Sequence, residues 1–253
     1  MPAAVLARLV LLEARRGGLP WLALGCIAVG VSLAAFLSQV AVTESRMLQA
    51  ALLAAVLRAG AVFLIAAQVA GSTLREMNDR ALELALSLPV SRLAQYLGRL
   101  AGFAACAAAL AALFAATLLF WAPPAAVALW GISLALECTL VAAATLFFAL
   151  ALGQLVPAIA AVAGLYLLGR SMAAIQAIAA APLAESSLAQ DIARWGVDAV
   201  AFLLPRLDAV TRTDWLLYEA PAPADALAAL AGLAVYLALL VAAGLFDFYR
   251  RNL

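Results

Sequence analysis

The chain has 253 residues, of which 68% are hydrophobic and 11% are charged, and its formal net charge is +1. A soluble globular protein is about 45–50% apolar and about 25% charged, so a soluble fold of this size would leave much apolar surface in water. The composition therefore predicts an integral membrane protein. The near-neutral charge gives no sign of nucleic-acid binding.

Two residue types are absent from the chain, histidine and lysine, since all 15 basic residues are arginine. The lack of histidine excludes Ser-His-Asp and Cys-His catalysis and every imidazole metal ligand. The lack of lysine excludes a Walker A motif and a Schiff base. We therefore expect that this chain is not an enzyme and binds no metal or cofactor itself.

Residues 3–16 are predicted to form an amphipathic helix before the first span. The apolar residues of its broad face are Val5, Leu6, Leu9, Val10 and Leu12. Such a helix is typical of a segment that lies in the membrane interface, and residues 17–20 (Gly-Gly-Leu-Pro) predict the turn into the membrane. The alternative is a cytoplasmic extension of the first span.

Six segments are apolar and reach the length of about 20 residues that a bilayer crossing needs. They are predicted at residues 19–42, 47–71, 93–121, 125–152, 155–180 and 226–246. The first is too long and starts too late for a cleaved signal peptide, so we expect it to remain as an anchor. Residues 1–253 are therefore predicted to form a single all-α transmembrane domain.

Arginines concentrate on one side of the predicted bundle. They are Arg8, Arg15 and Arg16 before the first span, Arg75, Arg80 and Arg92 in the 72–92 loop, and Arg250 and Arg251 after the sixth span. By the positive-inside rule, both termini and this loop are predicted to be cytoplasmic. Arginine without lysine, together with abundant Ala and Leu, suggests a GC-rich bacterial genome, so we predict a multi-pass protein of the bacterial inner membrane.

The loop between the second and third spans, residues 72–92, is predicted to contain a two-faced helix over residues 74–88. Its apolar face consists of Leu74, Met77, Ala81, Leu84, Ala85 and Leu88. Pro89 is predicted to end the helix, and Ser91 to cap the start of the third span. The loop is either a solvated segment that only sets topology or a docking surface for a cytoplasmic partner.

The segment 75–92, which ends in Pro89-Val90-Ser91-Arg92, and the following Tyr96-Leu97-Gly98-Arg99 resemble the stretch after the second span of ABC-2-type ABC transporter permeases. The order of elements is also similar: an interfacial helix, six spans, a long segment before the sixth span and an arginine-rich tail. The chain departs from the family pattern at Ala81, where threonine is usual, and at Arg99, where lysine is usual. Asp79-Arg80 replaces a common glycine-containing pair.

The resemblance implies that the 72–92 loop contains a coupling helix that binds a separate ATPase subunit. By position, the contact residues would be Glu76, Asp79, Arg80, Glu83, Leu84, Leu88, Pro89 and Arg92. It also implies two copies of a soluble P-loop ATPase that hold ATP and Mg²⁺, a second permease copy or a sister permease, and movement of a substrate, with export as the direction. The absence of lysine agrees with a chain that has no P-loop of its own.

Three charged residues, Arg58, Glu137 and Arg170, fall inside predicted spans, where a charge costs about 2.5–3.5 kcal/mol on insertion scales. Arg58 and Glu137 have similar predicted depths, so we expect them to pair, directly or through water. The pair either locks two helices together or forms a polar patch on a translocation path. Arg170 would lie near the outer end of the fifth span if that span ended early, where a bend would let it reach water.

The segment 182–225 is predicted to lie outside, with a capping box at Ser187 and Gln190 followed by a short amphipathic helix. A secondary transporter or channel without an ATPase is the alternative function. Such proteins typically have helices broken near mid-membrane and several buried ionisable groups, and in this chain only Pro157 offers a break. A further alternative is an intramembrane enzyme. This chain has neither histidine nor a pair of aspartates within its predicted spans, so it lacks the residues that intramembrane protease or metal chemistry would use.

Overall fold

The computed structural model describes residues 2–40, 45–79, 91–180, 188–210, 214–217 and 223–250. This described part consists of helices and short connections and contains no strand. The first five helices are α1 (Pro2–Arg16), α2 (Leu19–Val40), α3 (Ser45–Asn78), α4 (Arg92–Leu118) and α5 (Pro124–Leu152). The others are α6 (Leu155–Ala180), α7 (Leu188–Leu203), α8 (Leu207–Val210), α9 (Asp214–Leu217) and α10 (Pro223–Arg250).

Six of these helices, α2 to α6 and α10, are long and apolar enough to cross a membrane. The prediction of six spans is thereby confirmed, and the chain is an all-α, multi-pass membrane protein. The bounds of α6 coincide with the predicted fifth span. By contrast, α3 continues beyond the predicted end at residue 71 and reaches Asn78, so the first part of the predicted loop belongs to the second span's helix.

The long helices run alternately in opposite directions, which gives the bundle two ends. At the proximal end, defined by α1, the end of α3 and the start of α4, Arg92 Nη1 donates a hydrogen bond to the carbonyl oxygen of Tyr249 at 3.1 Å. At the opposite, distal end, Trp121 Nε1 donates to Gln49 Oε1 at 3.1 Å. At the proximal end, Ser91 caps α4 by accepting a hydrogen bond from the Ala94 amide, as predicted.

Helix α5 occupies the centre of the bundle and packs against α3, α4, α6 and α10. It is the most buried of the six spans, whereas α2 and α10 are the least buried. Large apolar side chains such as Phe36 on α2 and Leu239 on α10 point outward, as a lipid-facing surface requires. Polar side chains on α5 are therefore held deep inside the protein, where each needs a partner.

Helix α1 lies against α4, and Gly102 makes this contact possible. A Cβ atom at Gly102 would lie 2.7 Å from Val10 Cβ and 3.0 Å from the Ala7 carbonyl oxygen. Val10 is buried at this contact. The predicted break after α1 is confirmed, since Gly18 takes a φ of 89°, a conformation that is favourable mainly for glycine.

The predicted amphipathic helix after Ser187 is confirmed as α7. It packs against α6, and Gln176 Nε2 of α6 donates to Asp198 Oδ1 at 3.0 Å. Its apolar side chains Ile192, Trp195 and Phe202 remain largely exposed. The distal end therefore carries an apolar surface beside the polar contact to α6.

Candidate functional site

Two polar assemblies stand out in this apolar protein. The first, which we call the charge cluster, lies in the middle of the bundle and consists of Arg58, Ser133, Glu137, Tyr166 and Arg170. The second, the proximal junction, joins α1, α3 and α4 and consists of Glu13, Ser72, Arg75, Glu76 and Arg99. Each joins three helices through polar side chains.

The charge cluster is centred on Glu137 of α5, whose side chain is fully buried. Arg58 Nη1 of α3 donates to Glu137 Oε2, and Arg58 Nη2 donates to Ser133 Oγ at 3.2 Å. The guanidinium also lies 5.2 Å from the ring centroid of Trp130, within the range of a cation–π contact. The predicted pairing of Arg58 with Glu137 is therefore confirmed, and the contact is direct.

The second carboxylate oxygen of Glu137 faces α6. The Tyr166 hydroxyl donates to Glu137 Oε1 at 2.8 Å, and Arg170 Nη1 donates to the Tyr166 oxygen at 3.2 Å and lies 3.8 Å from Glu137 Oε1. The fifth span does not end early, since α6 continues to Ala180, and the Arg170 side chain is 36% exposed. Glu137 and Tyr166 give the arginine its partners inside the bundle.

The cluster thus joins three spans through one carboxylate. A buried charge is stabilised only when opposite charge and hydrogen bonds replace its lost hydration, and Glu137 receives both from α3 and α6. Within the part of the chain that the structure describes, the Glu137 carboxylate has no exposed surface. The geometry supports an interhelical lock whose opening would require α3, α5 and α6 to move relative to one another.

The proximal junction lies where α3 leaves the core. Ser72 Oγ donates to Glu13 Oε2 of α1 at 2.8 Å, and Arg75 Nη1 lies 4.0 Å from Glu13 Oε1. Arg99 Nη2 of α4 lies 2.6 Å from Glu76 Oε2. The Arg99 side chain is 9% exposed and that of Glu76 is 28% exposed, so this ion pair is partly shielded from the screening that weakens surface pairs. The ends of α3 and α4 are therefore fixed to each other and to α1.

Arg92 adds a fourth helix to this end of the protein. Its Nη1 donates to the carbonyl oxygens of Phe248 at 3.4 Å and Tyr249 at 3.1 Å. The last carbonyls of a helix lack intrahelical partners and carry partial negative charge. The Arg92 guanidinium thus holds the end of α10 beside the start of α4.

Only some of the residues that the resemblance assigns to a partner contact lie within the described part of the chain. Glu76 lies on the last turn of α3 and is paired with Arg99, Asp79 follows that helix and is exposed, and Arg92 begins α4. The positions outside the described residues are Arg80, Glu83, Leu84, Leu88 and Pro89. The structure therefore brings Glu76, Asp79 and Arg92 to the same end of the bundle, at the base of the 80–90 segment.

Beyond the pairing of Arg58 with Glu137, sequence reasoning did not anticipate the partners of the charged residues. Tyr166 and Arg170 are four residues apart on α6, and Ser133 and Glu137 are four apart on α5, so each pair shares a helix face. This spacing was a usable signal. The contact of Glu13 with Ser72 joins positions far apart in the chain, and no local pattern indicates it.

The chain matches no protein-family model and no curated protein. Bundles of apolar helices serve many functions, and a fold alone does not establish one. The function is therefore inferred from the two polar assemblies and from the residues around the 80–90 segment.

Proposed function

We propose that the chain is the transmembrane permease subunit of an ATP-driven ABC transporter. In this role it couples ATP hydrolysis on a separate soluble ATPase to the movement of a substrate, with export as the direction. The observation that carries the proposal is the proximal junction. The two helices that enter and leave the 80–90 segment are joined there by a partly shielded ion pair and are braced against α1.

The junction supports a path for force from the loop into the membrane. An ATPase that pushes on the 80–90 segment would displace the ends of α3 and α4 together, because Glu76 and Arg99 hold them at 2.6 Å. Helix α3 is continuous from Ser45 to Asn78 and carries Arg58 to the charge cluster. Packed helices with charged contacts move between discrete arrangements, so this displacement acts on the lock around Glu137.

The proposal assigns each part a place. The coupling-helix residues from Glu76 to Arg92 contact the ATPase, two copies of which hold ATP and Mg²⁺. Helix α1 lies in the inner membrane interface, both termini are cytoplasmic, and a second copy or a sister permease completes the transporter in the bacterial inner membrane. Glu76 is paired with Arg99, and Arg92 is bonded to the last carbonyls of α10. These contacts suggest that Glu76 and Arg92 also hold the base of the 80–90 segment in position.

The alternative, a secondary transporter or channel, draws support from the charge cluster, because buried ionisable groups often mark ion pathways. Transporters of that kind use helices that are interrupted at the binding site. Helices α3 and α5 instead run unbroken through Arg58 and Glu137, and Glu137 is fully enclosed. The unbroken helices favour the ATPase-coupled function.

Co-purification tests the proposal directly. We expect the tagged protein to retain the soluble P-loop ATPase encoded beside it, and Glu83→Arg to reduce that retention at least about tenfold, since like charges across an interface cost several kcal/mol. Asp225→Arg is the matched control, because Asp225 is exposed at the distal start of α10. Transport driven by an ion gradient, with no ATPase retained, would contradict the proposal.

A further inference from the structure

A groove of about 380 Å³ lies between α1, the start of α2 and the middle of α4. Its walls are apolar and include Leu19 and Ala23 of α2 and Leu110 and Leu113 of α4. Helices α2 and α4 touch each other in few places, which leaves this space beneath α1. Neither polar assembly described above lines the groove.

Two arginines stand at the rim of the groove. Arg8 and Arg15 are seven residues apart on α1, so they share one face of that helix, and both line the groove and are exposed. The other charged residues of this part of α1, Glu13 and Arg16, line a separate depression beside Arg75. The rim is therefore positively charged, and no carboxylate is among the described residues that line the groove.

The groove spans two zones of the membrane. The apolar length of the first span begins at Leu19, directly after the Gly17-Gly18 turn, so Arg15 lies where the span meets the headgroups. Leu110 and Leu113 belong to the membrane-spanning part of α4. A ligand in this groove would have its polar end at the surface of the bilayer and its apolar end in the hydrocarbon layer.

We infer that this groove binds an anionic phospholipid. One acyl chain lies between α2 and α4, and the phosphate lies against Arg8 and Arg15. Arginine suits this role because its planar guanidinium donates paired hydrogen bonds to phosphate, and basic sites beside membrane helices favour anionic headgroups. The inference requires only that the helices cross a membrane and does not depend on transport or on an ATPase.

Charge removal tests the headgroup contact. The purified full-length protein is titrated in detergent with phosphatidylglycerol or phosphatidylcholine of the same acyl chains, and bound lipid is counted by native mass spectrometry. We expect tighter binding of phosphatidylglycerol, and a loss of about fivefold for each arginine removed, hence about 25-fold for the double variant Arg8→Gln/Arg15→Gln. Arg16→Gln makes the same change outside the groove and is expected to bind as the wild type does.

Filling the groove tests the acyl-chain contact. Ala109 lines the groove and is exposed within it, whereas the adjacent Ala108 is exposed but does not line it. Ala109→Phe is expected to abolish most phosphatidylglycerol binding, and Ala108→Phe to leave it unchanged. Equal binding of the two lipids, equal binding by the double arginine variant, or displacement of the lipid by millimolar inorganic phosphate would overturn the inference.

Discussion

Replacing Glu137 with leucine is expected to lower the free energy of unfolding by about 3–5 kcal/mol, because one partner of a buried ion pair would be lost. Arg58 is 3% exposed and would keep its charge inside the bundle, where Ser133 and the Trp130 ring are its remaining contacts among the described residues. The Tyr166 hydroxyl would lose its acceptor as well. The free energy of unfolding, obtained by denaturant titration of the protein in detergent micelles, measures this loss.

The double variant Arg58→Met/Glu137→Leu distinguishes the contribution of the two charges from that of side-chain packing, because it removes both charges and keeps side chains of similar volume. Replacing both partners of a buried pair with apolar side chains is often neutral or stabilising, so we expect the double variant to recover most of the stability that Glu137→Leu loses. Asp225→Leu is the control, since an exposed substitution changes stability by about 0.5 kcal/mol or less. A Glu137→Leu variant as stable as this control, or losses that simply add in the double variant, would contradict the interhelical lock.

Gly102→Leu is expected to displace α1 from α4, at a cost of about 1–3 kcal/mol for overpacking. The new side chain would meet Val10 Cβ and the Ala7 carbonyl oxygen, and a backbone atom cannot turn aside as a flexible side chain can. Displacement would also break the hydrogen bond from Ser72 to Glu13. Faster amide exchange over residues 2–16, measured by mass spectrometry, is the expected result.

A matched glycine variant controls for the added side chain. Gly164 lies on α6, and a Cβ there would meet nothing within 4 Å, so Gly164→Leu is expected to leave exchange in α1 unchanged. Equal exchange in α1 for wild type and Gly102→Leu would show that α1 is not held by this contact. The proximal junction would then lack the support that the proposed function assigns to α1.

The membrane spans were predictable because hydropathy reports the solvent that a segment requires. The end of the second span was not, since Ser72 and Thr73 indicate a departure from lipid but are buried in the structure. Both residues lie in the part of α3 that packs against the rest of the protein. The point at which the apolar segment ends therefore differs from the point at which the helix ends. Hydropathy detects only the first of these.

The charge cluster was predictable in part for a related reason. Arg58 and Glu137 lie equally far along the chain from Ser45 and Pro124, the first residues of their helices, so depth alone suggested the pair. Helices α5 and α6 are apolar around most of their circumference, however, and hydropathy gives little sign of which face of such a helix points inward. The spacing of Tyr166 and Arg170 places both on one face of α6, but it does not show that this face points towards Glu137, which the structure does.

The measurement closest to the central claim is the rate of ATP hydrolysis by the proposed partner ATPase, with and without this chain in lipid nanodiscs. We expect the wild-type chain to raise the rate. Arg99→Glu is expected to retain the ATPase but lose most of the stimulation, because like charges would then face each other at Glu76. Arg99→Lys keeps a positive charge facing Glu76 and is expected to retain most of the stimulation. A hydrolysis rate that is the same with and without the chain, or full stimulation by Arg99→Glu, would contradict coupling through the proximal junction.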